Sequence, residues 1–330
     1  MKKTIIFVFL VCFISSVYTQ TTIKDISFEN YPRVDGSTST FPLNKIIACK
    51  LLSIDYEWNM EPVGTIWNPN TGYEFWERIN DTIKQTMPFN NGKVRASQTH
   101  QAFVNLIENK ADIILSARKM SKDEKKYADS LGIKLIETPI ALDALIFLAN
   151  EERGVKSLTT QQIQDIYMGK ISRWEVLGSD SARLYPYIRN ANSGSQELLE
   201  SIAMKGLKED WKDYLVMENV AMTMPEVFIA IGMENKYAIC FSIYYYKEMM
   251  IRDQFSGVQT LAINGIEPNR KTIADKIYPY VAEVYVIIRS DLPKKNPAYK
   301  LYKWLQDKDG QAVIKESGYI PIKKLKKGGA

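Results

Sequence analysis

The residues with the clearest chemical potential lie between a short predicted strand and a predicted helix, at Arg189, Ser193, Gly194 and Ser195. A strand that enters a helix through Ser-Gly-Ser directs several backbone N–H groups at one point, where the helix dipole adds about half a positive charge. Gly194 lets a ligand approach the backbone, the hydroxyls add donors, and Arg189 supplies a forked cation suited to an oxyanion. The alternative is that Ser193 or Ser195 only caps the helix.

Two further strand-to-helix junctions have the same character. The first runs from Asp35 through Gly-Ser-Thr-Ser-Thr to Phe41 and has more hydroxyl residues than a cap requires, although such a loop could simply be polar. The second places Ser97 and Thr99 ahead of a helix with an apolar face. This repetition favours an anion-binding interpretation over three unrelated helix caps.

The composition limits the other classes of function. The 330-residue chain is 45% hydrophobic and 25% charged, which is typical of a globular protein, and its net charge is +5. It has no basic stripe with interleaved aromatic residues, so we do not expect nucleic acid as a partner. His100 is the only histidine, and neither zinc-ligand spacing nor a Gly-x-Ser-x-Gly elbow occurs. We therefore expect no metal, no cofactor and no catalytic residues, and we interpret His100 as a polar surface residue.

The N-terminal sequence predicts export. Residues 1–20 have a basic start, a short apolar core and then small or polar residues, which is the pattern of a secretory signal peptide. The core is too short for a stable transmembrane span. Cys12 follows Val11 and not a small residue, so a lipid anchor is not favoured. We expect a soluble mature protein in the periplasm or outside the cell.

Predicted strands and helices alternate along the chain, which indicates an α/β fold with largely parallel sheets. Residues 53–92 contain aromatic residues scattered among Asn, Pro and Gly, and fit an aromatic-anchored loop, a helical insertion or a partner-binding surface. Cys49 and Cys240 are interpreted as buried apolar side chains, although they could pair in an oxidising compartment.

Several segments together identify a family resemblance. The main ones are Arg-x-x-x-Ser-Gly-Ser at 189–195, Gly-Ser-Thr-Ser-Thr-Phe-Pro at 36–42 and Ala-Asp-Ile-Ile-Leu-Ser-Ala-Arg at 111–118. They resemble the phosphate-binding proteins of phosphate ABC importers, the PstS-like family. The resemblance covers residues 30–322 except for 53–92.

The resemblance implies the two-lobed α/β fold of type 2 periplasmic binding proteins. Each lobe is expected to hold a mostly parallel sheet flanked by helices, and two crossover strands join the lobes. Lobe 1 is expected at 21–143 and 283–330, and lobe 2 at 144–282. The implied function is capture of inorganic phosphate, or a similar tetrahedral oxyanion, by a monomer that delivers it to the permease subunits of an ABC importer. Such a protein is a transport receptor and not an enzyme.

The resemblance also implies which residues bind the anion, with donors converging from both lobes. The implied ligand-binding residues are Ser39, Thr40, Phe41, Ser97, Thr99, Arg189, Ser193, Gly194 and Ser195. The accessory candidates are Asp35, Ser116, Arg118 and Asp143. Of these, Arg118 fits either an extra anion contact or a salt bridge between the lobes.

One position departs from the family pattern. Family members have an Asp, which accepts a proton from bound phosphate, where this chain has Ala117. Such a carboxylate separates protonated phosphate from fully deprotonated sulfate, because an unpaired carboxylate facing an oxyanion is unfavourable. Asp35 or Asp143 could replace it, and sulfate, molybdate and tungstate stay open as ligands.

Two other functions remain as alternatives. A secreted interaction protein could keep the fold without the uptake role, and the aromatic region at 53–92 would support it. A secreted hydrolase, such as a phosphatase or a serine esterase, would need a metal cluster or a pair of Ser and base. The single His argues against a hydrolase, although the sequence does not exclude a Ser-Lys arrangement.

Overall fold

The computed structural model describes residue 23 and residues 26–54, 92–207 and 219–322. The predicted signal peptide at 1–20 and most of the aromatic region at 53–92 lie outside the described residues. In the described ranges, no helix is both long and apolar enough to cross a membrane.

The described strands and helices are numbered here in chain order. The strands are β1 (Val34–Gly36), β2 (Ile113–Ser116), β3 (Leu135–Asn150), β4 (Ser157–Leu158), β5 (Tyr185–Pro186), β6 (Ile188–Arg189), β7 (Val220–Ala221), β8 (Ala238–Ile243), β9 (Val258–Ile263), β10 (Val281–Arg289) and β11 (Ile320–Pro321). The helices are α1 (Phe41–Leu51), α2 (Thr99–Ile107), α3 (Lys122–Ser130), α4 (Thr160–Tyr167), α5 (Gly194–Leu198), α6 (Glu226–Ile229), α7 (Arg270–Ala274), α8 (Pro297–Trp304) and α9 (Lys308–Glu316).

Strand β3 organises the main sheet, because it is 16 residues long and changes neighbours along its length. Up to Ala144 it pairs with β10, and β11 pairs with it at Ala141 and Leu142. From Leu145 onward it pairs with β8 and β9. We call β1, β2, β10, β11 and the first part of β3 the first lobe. We call β4, β5, β8, β9 and the second part of β3 the second lobe, and we count the helices and short strands between the strands of one lobe as part of that lobe.

The sheet is mixed, whereas the sequence predicted mostly parallel strands in each lobe. Parallel pairs form between β1 and β2, β4 and β9, β5 and β8, and β6 and β7. The antiparallel pairs all involve β3 or β10. A strand–helix–strand unit makes its two strands parallel, but this rule does not set the direction of long strands that run between lobes. The predicted lobe boundaries, 21–143 with 283–330 and 144–282, stay predictions.

Helix α2 is held in place by its own small core. Phe103 and Leu106, on the face that the sequence predicted to be apolar, pack with Ile114 of β2 and Ile287 of β10. All four side chains are buried completely. Burial of each large apolar side chain contributes about 1.5–3 kcal/mol to folding. This packing fixes the direction in which the first turn of α2 points.

The two cysteines are free thiols in different parts of the fold. Cys49 lies in α1 and Cys240 in β8, and both are buried. Burial raises the pKa of the Cys49 thiol to about 12 and that of Cys240 well above its ordinary value. Both side chains therefore act as small apolar groups in the core.

Asp143 is a buried carboxyl group at the point where β3 passes between the lobes. Its Oδ1 accepts hydrogen bonds of 2.9 Å from the backbone N–H groups of Ala144 and Tyr245, and its Oδ2 has no hydrogen-bond partner. Burial raises the pKa of Asp143 to about 7, and the two N–H donors only partly oppose this rise. Ionised Asp143 is therefore unfavourable in the folded state.

We expect the Asp143 carboxyl group to make the protein less stable as the pH rises. Because its pKa is about 7 in the folded protein and near 3.8 in the unfolded chain, the folded state binds more protons between these values. The contribution of Asp143 to the stability of the protein should be greatest below pH 4 and should fall as the pH rises through 7. The Asp143→Asn variant should lack this pH dependence. Its free energy of unfolding relative to that of the wild type should therefore rise by up to about 4 kcal/mol from pH 4 to pH 8.

Urea unfolding at several pH values would measure this effect. The matched control is Asp129→Asn, because Asp129 is an exposed carboxylate. Stability curves for the wild type and Asp143→Asn that stay parallel across this pH range would contradict the prediction.

Candidate functional site

The three predicted junctions meet at a cavity of about 470 Å³ between the lobes. The first lobe contributes the segments that lead into α1 and α2, and the second lobe contributes the segment that leads into α5. The predicted ligand-binding residues that line the cavity are Ser39, Phe41, Thr99, Arg189, Ser193, Gly194 and Ser195. Thr40 and Ser97 do not line it.

At the first junction, a 3₁₀ turn over Thr38–Thr40 precedes α1. The backbone N–H of Thr40 donates to the carbonyl of Ser37 at 3.0 Å, and the N–H of Phe41 donates into the same turn. The Thr40 hydroxyl lies 2.9 Å from the carbonyl oxygen of Leu115, in the neighbouring strand. The donors that were predicted at Thr40 and Phe41 are thus used within the fold, and the cavity wall is formed by the turn before them.

Asp35 stabilises the site through hydrogen bonds without bordering the cavity. Its Oδ1 accepts the N–H groups of Gly36 and Ser97 at 2.8 Å, and its Oδ2 accepts a hydrogen bond of 2.7 Å from the Asn105 side chain. Asp35 is completely buried and does not line the cavity. It ties the end of β1 to the loop before α2, so it does not replace the missing proton acceptor.

The second junction has a strained residue that sequence reasoning missed. Gln98, at the start of α2, has φ 68° and ψ 163°, a region that is essentially restricted to glycine and costs about 1–3 kcal/mol. No side chain caps this helix start. The Thr99 hydroxyl lies 2.9 Å from the Ser37 hydroxyl, which also accepts the N–H of Ala117 at 3.1 Å. The strained Gln98 thus lies at an uncapped helix start that borders the cavity.

The third junction combines a helix cap with an anion-binding geometry. The Ser193 hydroxyl accepts the N–H of Gln196 at 3.1 Å, so Ser193 does cap α5. The N–H groups of Gly194 and Ser195 belong to the first helical turn and have no partner within the helix. Both residues line the cavity. The two interpretations of this segment are therefore compatible.

The lobes touch each other beside the cavity. A Cβ atom placed on Gly194 would lie 2.7 Å from the Thr99 Oγ1, so the starts of α5 and α2 are in close contact. The Arg118 Nη2 also donates a hydrogen bond of 3.0 Å to the Asn192 carbonyl across the cleft. These contacts show the lobes in a closed arrangement at this edge.

Arg189 is a buried cation held by neutral groups. It is 6% exposed, and its guanidinium donates to the carbonyls of Ala221 at 2.8 Å and Met222 at 3.2 Å. Its Nη1 lies 3.3 Å from the Ser195 Oγ and 2.8 Å from the Met224 Sδ. Burial lowers the pKa of Arg189 to about 10, so the side chain stays charged at neutral pH. Among the described residues, no carboxylate forms an ion pair with Arg189.

The four accessory candidates do not line the cavity. Arg118 forms a buried, two-point ion pair with Glu124 of its own lobe, at 2.7 and 2.8 Å, so neither use predicted for Arg118 is seen. The Ser116 hydroxyl donates to the Arg118 carbonyl at 2.7 Å. Asp143 lies at the passage between the lobes. His100, interpreted from the sequence as a surface residue, lines the cavity and lies 3.0 Å from Glu124.

The arrangement suits anion binding. The described residues that line the cavity supply hydroxyls, helix-start N–H groups and one guanidinium, and they include no Asp or Glu. In the part of the chain that the structure describes, no cluster of His, Cys, Asp and Glu could hold a metal ion. Across the same ranges, no Lys or His forms a hydrogen bond to the hydroxyl of Ser193 or Ser195.

Sequence reasoning missed the apolar side of the cavity and one distant support. The apolar side includes Ile243, Tyr246 and Met250, whose spacing resembles that of any buried segment. The support is Tyr319, whose hydroxyl donates a hydrogen bond of 2.9 Å to the Ser39 carbonyl. The two residues are 280 positions apart in the sequence. Its ring stacks on Tyr245 with the ring centroids 3.7 Å apart. No local pattern predicts such a long-range contact.

Comparison with known proteins finds phosphate-binding proteins among the relatives of this chain. Several curated relatives are named phosphate-binding protein PstS. The one from Staphylococcus epidermidis is 26% identical over 74% of this chain and 74% of its own length, and the one from Borreliella burgdorferi is 23% identical over 75% and 83%. The resemblance found in the motifs is thereby confirmed.

Solved structures confirm the predicted fold class. An ABC-type phosphate transport receptor from Vibrio cholerae aligns with a TM-score of 0.56 and 18% identity, over 90% of this chain and 99% of that one. A protein from Clostridium perfringens that was solved with bound phosphate aligns with a TM-score of 0.61 and 18% identity, over 92% and 100%. A family model described as a PBP superfamily domain matches residues 80–307. Because this match covers most of the chain, the protein belongs to the PBP superfamily.

Proposed function

We propose that this protein is an extracytoplasmic solute-binding protein that captures inorganic phosphate or a similar tetrahedral oxyanion. The observation that carries the proposal is the buried Arg189 guanidinium, which faces the cavity without a carboxylate partner among the described residues. A buried and unpaired charge is unfavourable, so an anion that reaches it gains strong charge-assisted hydrogen bonds. The names of the curated relatives, which are phosphate-binding proteins, support the same ligand.

The proposed ligand contacts come from both lobes. Arg189 and the Ser195 hydroxyl hold the anion from the second lobe, together with the N–H groups at the start of α5. Thr99 and Ser39 hold it from the first lobe, at the starts of α2 and α1. Binding from both sides favours the closed arrangement, because the anion can contact both lobes at once only when they are together.

The biological role follows from this chemistry and from the relatives. We propose that the protein binds its ligand reversibly as a monomer and delivers it to the permease subunits of an ABC importer. We further propose that the 1–20 segment directs export to the periplasm or the cell exterior. The role needs no catalytic step, no cofactor and no metal.

Titration calorimetry with phosphate would test this function through Arg189. Arg189→Ala should weaken phosphate binding by about 2–5 kcal/mol, which is about thirtyfold or more, because it removes the charged donor from a buried anion. Arg173→Ala is the control, since Arg173 is exposed and pairs with the neighbouring Glu175. Unchanged phosphate affinity in a folded Arg189→Ala variant would contradict the proposal.

The contact between Gly194 and Thr99 gives a second test. Gly194→Ala should weaken phosphate binding at least tenfold, because the new Cβ would meet the Thr99 Oγ1 at 2.7 Å and force the lobes apart. Thr99→Ala alone should lose one hydroxyl contact. The double variant should bind no more weakly than Thr99→Ala, since the nearest remaining side-chain atom, the Cβ of residue 99, lies at 3.6 Å. Strictly additive losses in calorimetry would show that this contact does not limit closure.

Ala117 gives a test of anion selection. With no carboxylate among the described lining residues, we expect sulfate, molybdate and tungstate to compete with phosphate. Ala117→Asp should lower sulfate affinity more than phosphate affinity, because only protonated phosphate can donate to the new carboxylate. Ala117→Asn is the matched neutral control. Equal losses of sulfate affinity in the Asp and Asn variants, measured by calorimetry, would refute this explanation.

A further inference from the structure

His100 presents an unused ring nitrogen at the cavity between the lobes. Its side chain is 43% exposed and lines the cavity, in the same helical turn as Thr99. The His100 Nδ1 lies 3.0 Å from the Glu124 Oε1, and the Nε2 forms no hydrogen bond within the part of the chain that the structure describes. Because Thr99 meets Gly194 of the second lobe, His100 lies at the edge where the lobes touch. Its Nε2 is therefore available to a bound anion.

Glu124 determines which ring nitrogen carries the proton. Its buried carboxylate accepts two hydrogen bonds from the Arg118 guanidinium, at 2.7 and 2.8 Å, and one of 2.8 Å from the Ser121 N–H. A carboxylate paired with a guanidinium is ionised and only accepts hydrogen bonds. The His100 Nδ1 must therefore be the donor in its contact with Glu124. In a neutral ring with the proton on Nδ1, the Nε2 is an acceptor.

The same network holds the ring in this orientation and reaches the second lobe. The Arg118 Nη2 donates a hydrogen bond of 3.0 Å to the Asn192 carbonyl, and Asn192 also lines the cavity. A rotation that turned Nε2 away from the cavity would break the hydrogen bond between His100 and Glu124. The buried carboxylate would then lose one of its donors, which is unfavourable.

An acceptor that cannot donate distinguishes phosphate from sulfate. At pH 8 inorganic phosphate keeps one O–H group, whereas sulfate has only acceptor oxygens. The side-chain hydroxyl and amide groups among the described lining residues can accept from phosphate, but they can equally donate to sulfate, so they favour neither anion. An unprotonated Nε2 can only accept. Sulfate would bring two acceptors together there without a proton between them, which is unfavourable.

We propose that His100 accepts the O–H of bound phosphate through its Nε2, and that Glu124 and Arg118 are positioning residues that keep this nitrogen unprotonated. His100 thereby supplies the proton acceptor that the family pattern places at the position of Ala117. The inference rests on the proposed function, because it concerns the same bound anion. A neutral nitrogen repels sulfate less than a carboxylate does, so sulfate still competes but binds more weakly than phosphate.

The direct test is ¹⁵N NMR of the imidazole, whose signals need no assignment because His100 is the only histidine in the sequence. The protein is purified with a tag that contains no histidine and is measured at pH 8. Nδ1 should give the signal of a protonated nitrogen and Nε2 that of an unprotonated one. Phosphate should shift the Nε2 signal toward that of a hydrogen-bonded acceptor, and sulfate should not. A proton on Nε2 in the free protein, or an Nε2 signal that saturating phosphate leaves unchanged, would overturn the inference.

Calorimetry at pH 8 measures the resulting selectivity. His100→Ala should lower the ratio of phosphate affinity to sulfate affinity by about fivefold or more, because the acceptor is removed. Glu124→Gln should also lower this ratio, because the amide can donate to Nδ1 and leave the proton on Nε2. A merely structural role of either residue would weaken the binding of both anions equally. Gln101→Ala is the matched control, since Gln101 lines the cavity with a side chain that both donates and accepts.

The outcomes separate this inference from the proposed function. If the wild type binds phosphate and folded His100→Ala keeps the same ratio of affinities, the inference fails and the proposed function stands. If the wild type binds neither phosphate nor sulfate, both fail. The NMR measurement on the wild-type protein decides the question even if the variants do not fold.

Discussion

The site depends on one buried charge, Arg189, which forms no ion pair with a described carboxylate and is influenced by Glu226 only from a greater distance. Arg189 is surrounded by carbonyls, a hydroxyl and a thioether, which orient the guanidinium and leave its net charge intact. Such a group lowers the stability of the empty protein and strengthens its complex with an anion. The rest of the architecture brings further donors to this charge without adding a competing carboxylate.

Strand β3 makes this arrangement feasible. The lobes are built on one continuous strand, with the change of partners between Ala144 and Leu145. Because hydrogen bonds run along both parts of β3, the lobes can tilt relative to each other but cannot slide without breaking the pairing. In this structure the helix starts meet at the edge where Thr99 contacts Gly194.

The sequence predicted the fold class and the general position of the site because both depend on local patterns. Gly194, Ser195, Thr99 and Arg189 belong to strand-to-helix junctions, and these junctions do meet. The places where the sequence was insufficient involve contacts between distant segments. Asp35 and Ser97 share a hydrogen bond beneath the site, and Arg118 pairs with Glu124.

The direction of β3 and β10 also escaped prediction, because strand–helix alternation sets the direction only of strands within each unit. The apolar side of the cavity is a similar case. Tyr246 and Met250 have the composition and spacing of ordinary core residues, and only the folded chain shows that they face a cavity. Local sequence patterns contain no information about which buried segment borders empty space.

The contact of Tyr319 with Ser39 bears on how the protein is made. Ser39 is synthesised early, but the residue that fixes its carbonyl follows 280 positions later. A chain that emerges from the ribosome or from a translocation channel therefore lacks this support until its last strand arrives. The part of the cavity lining at Ser39 is therefore completed only after the C-terminal end of the described chain has been made.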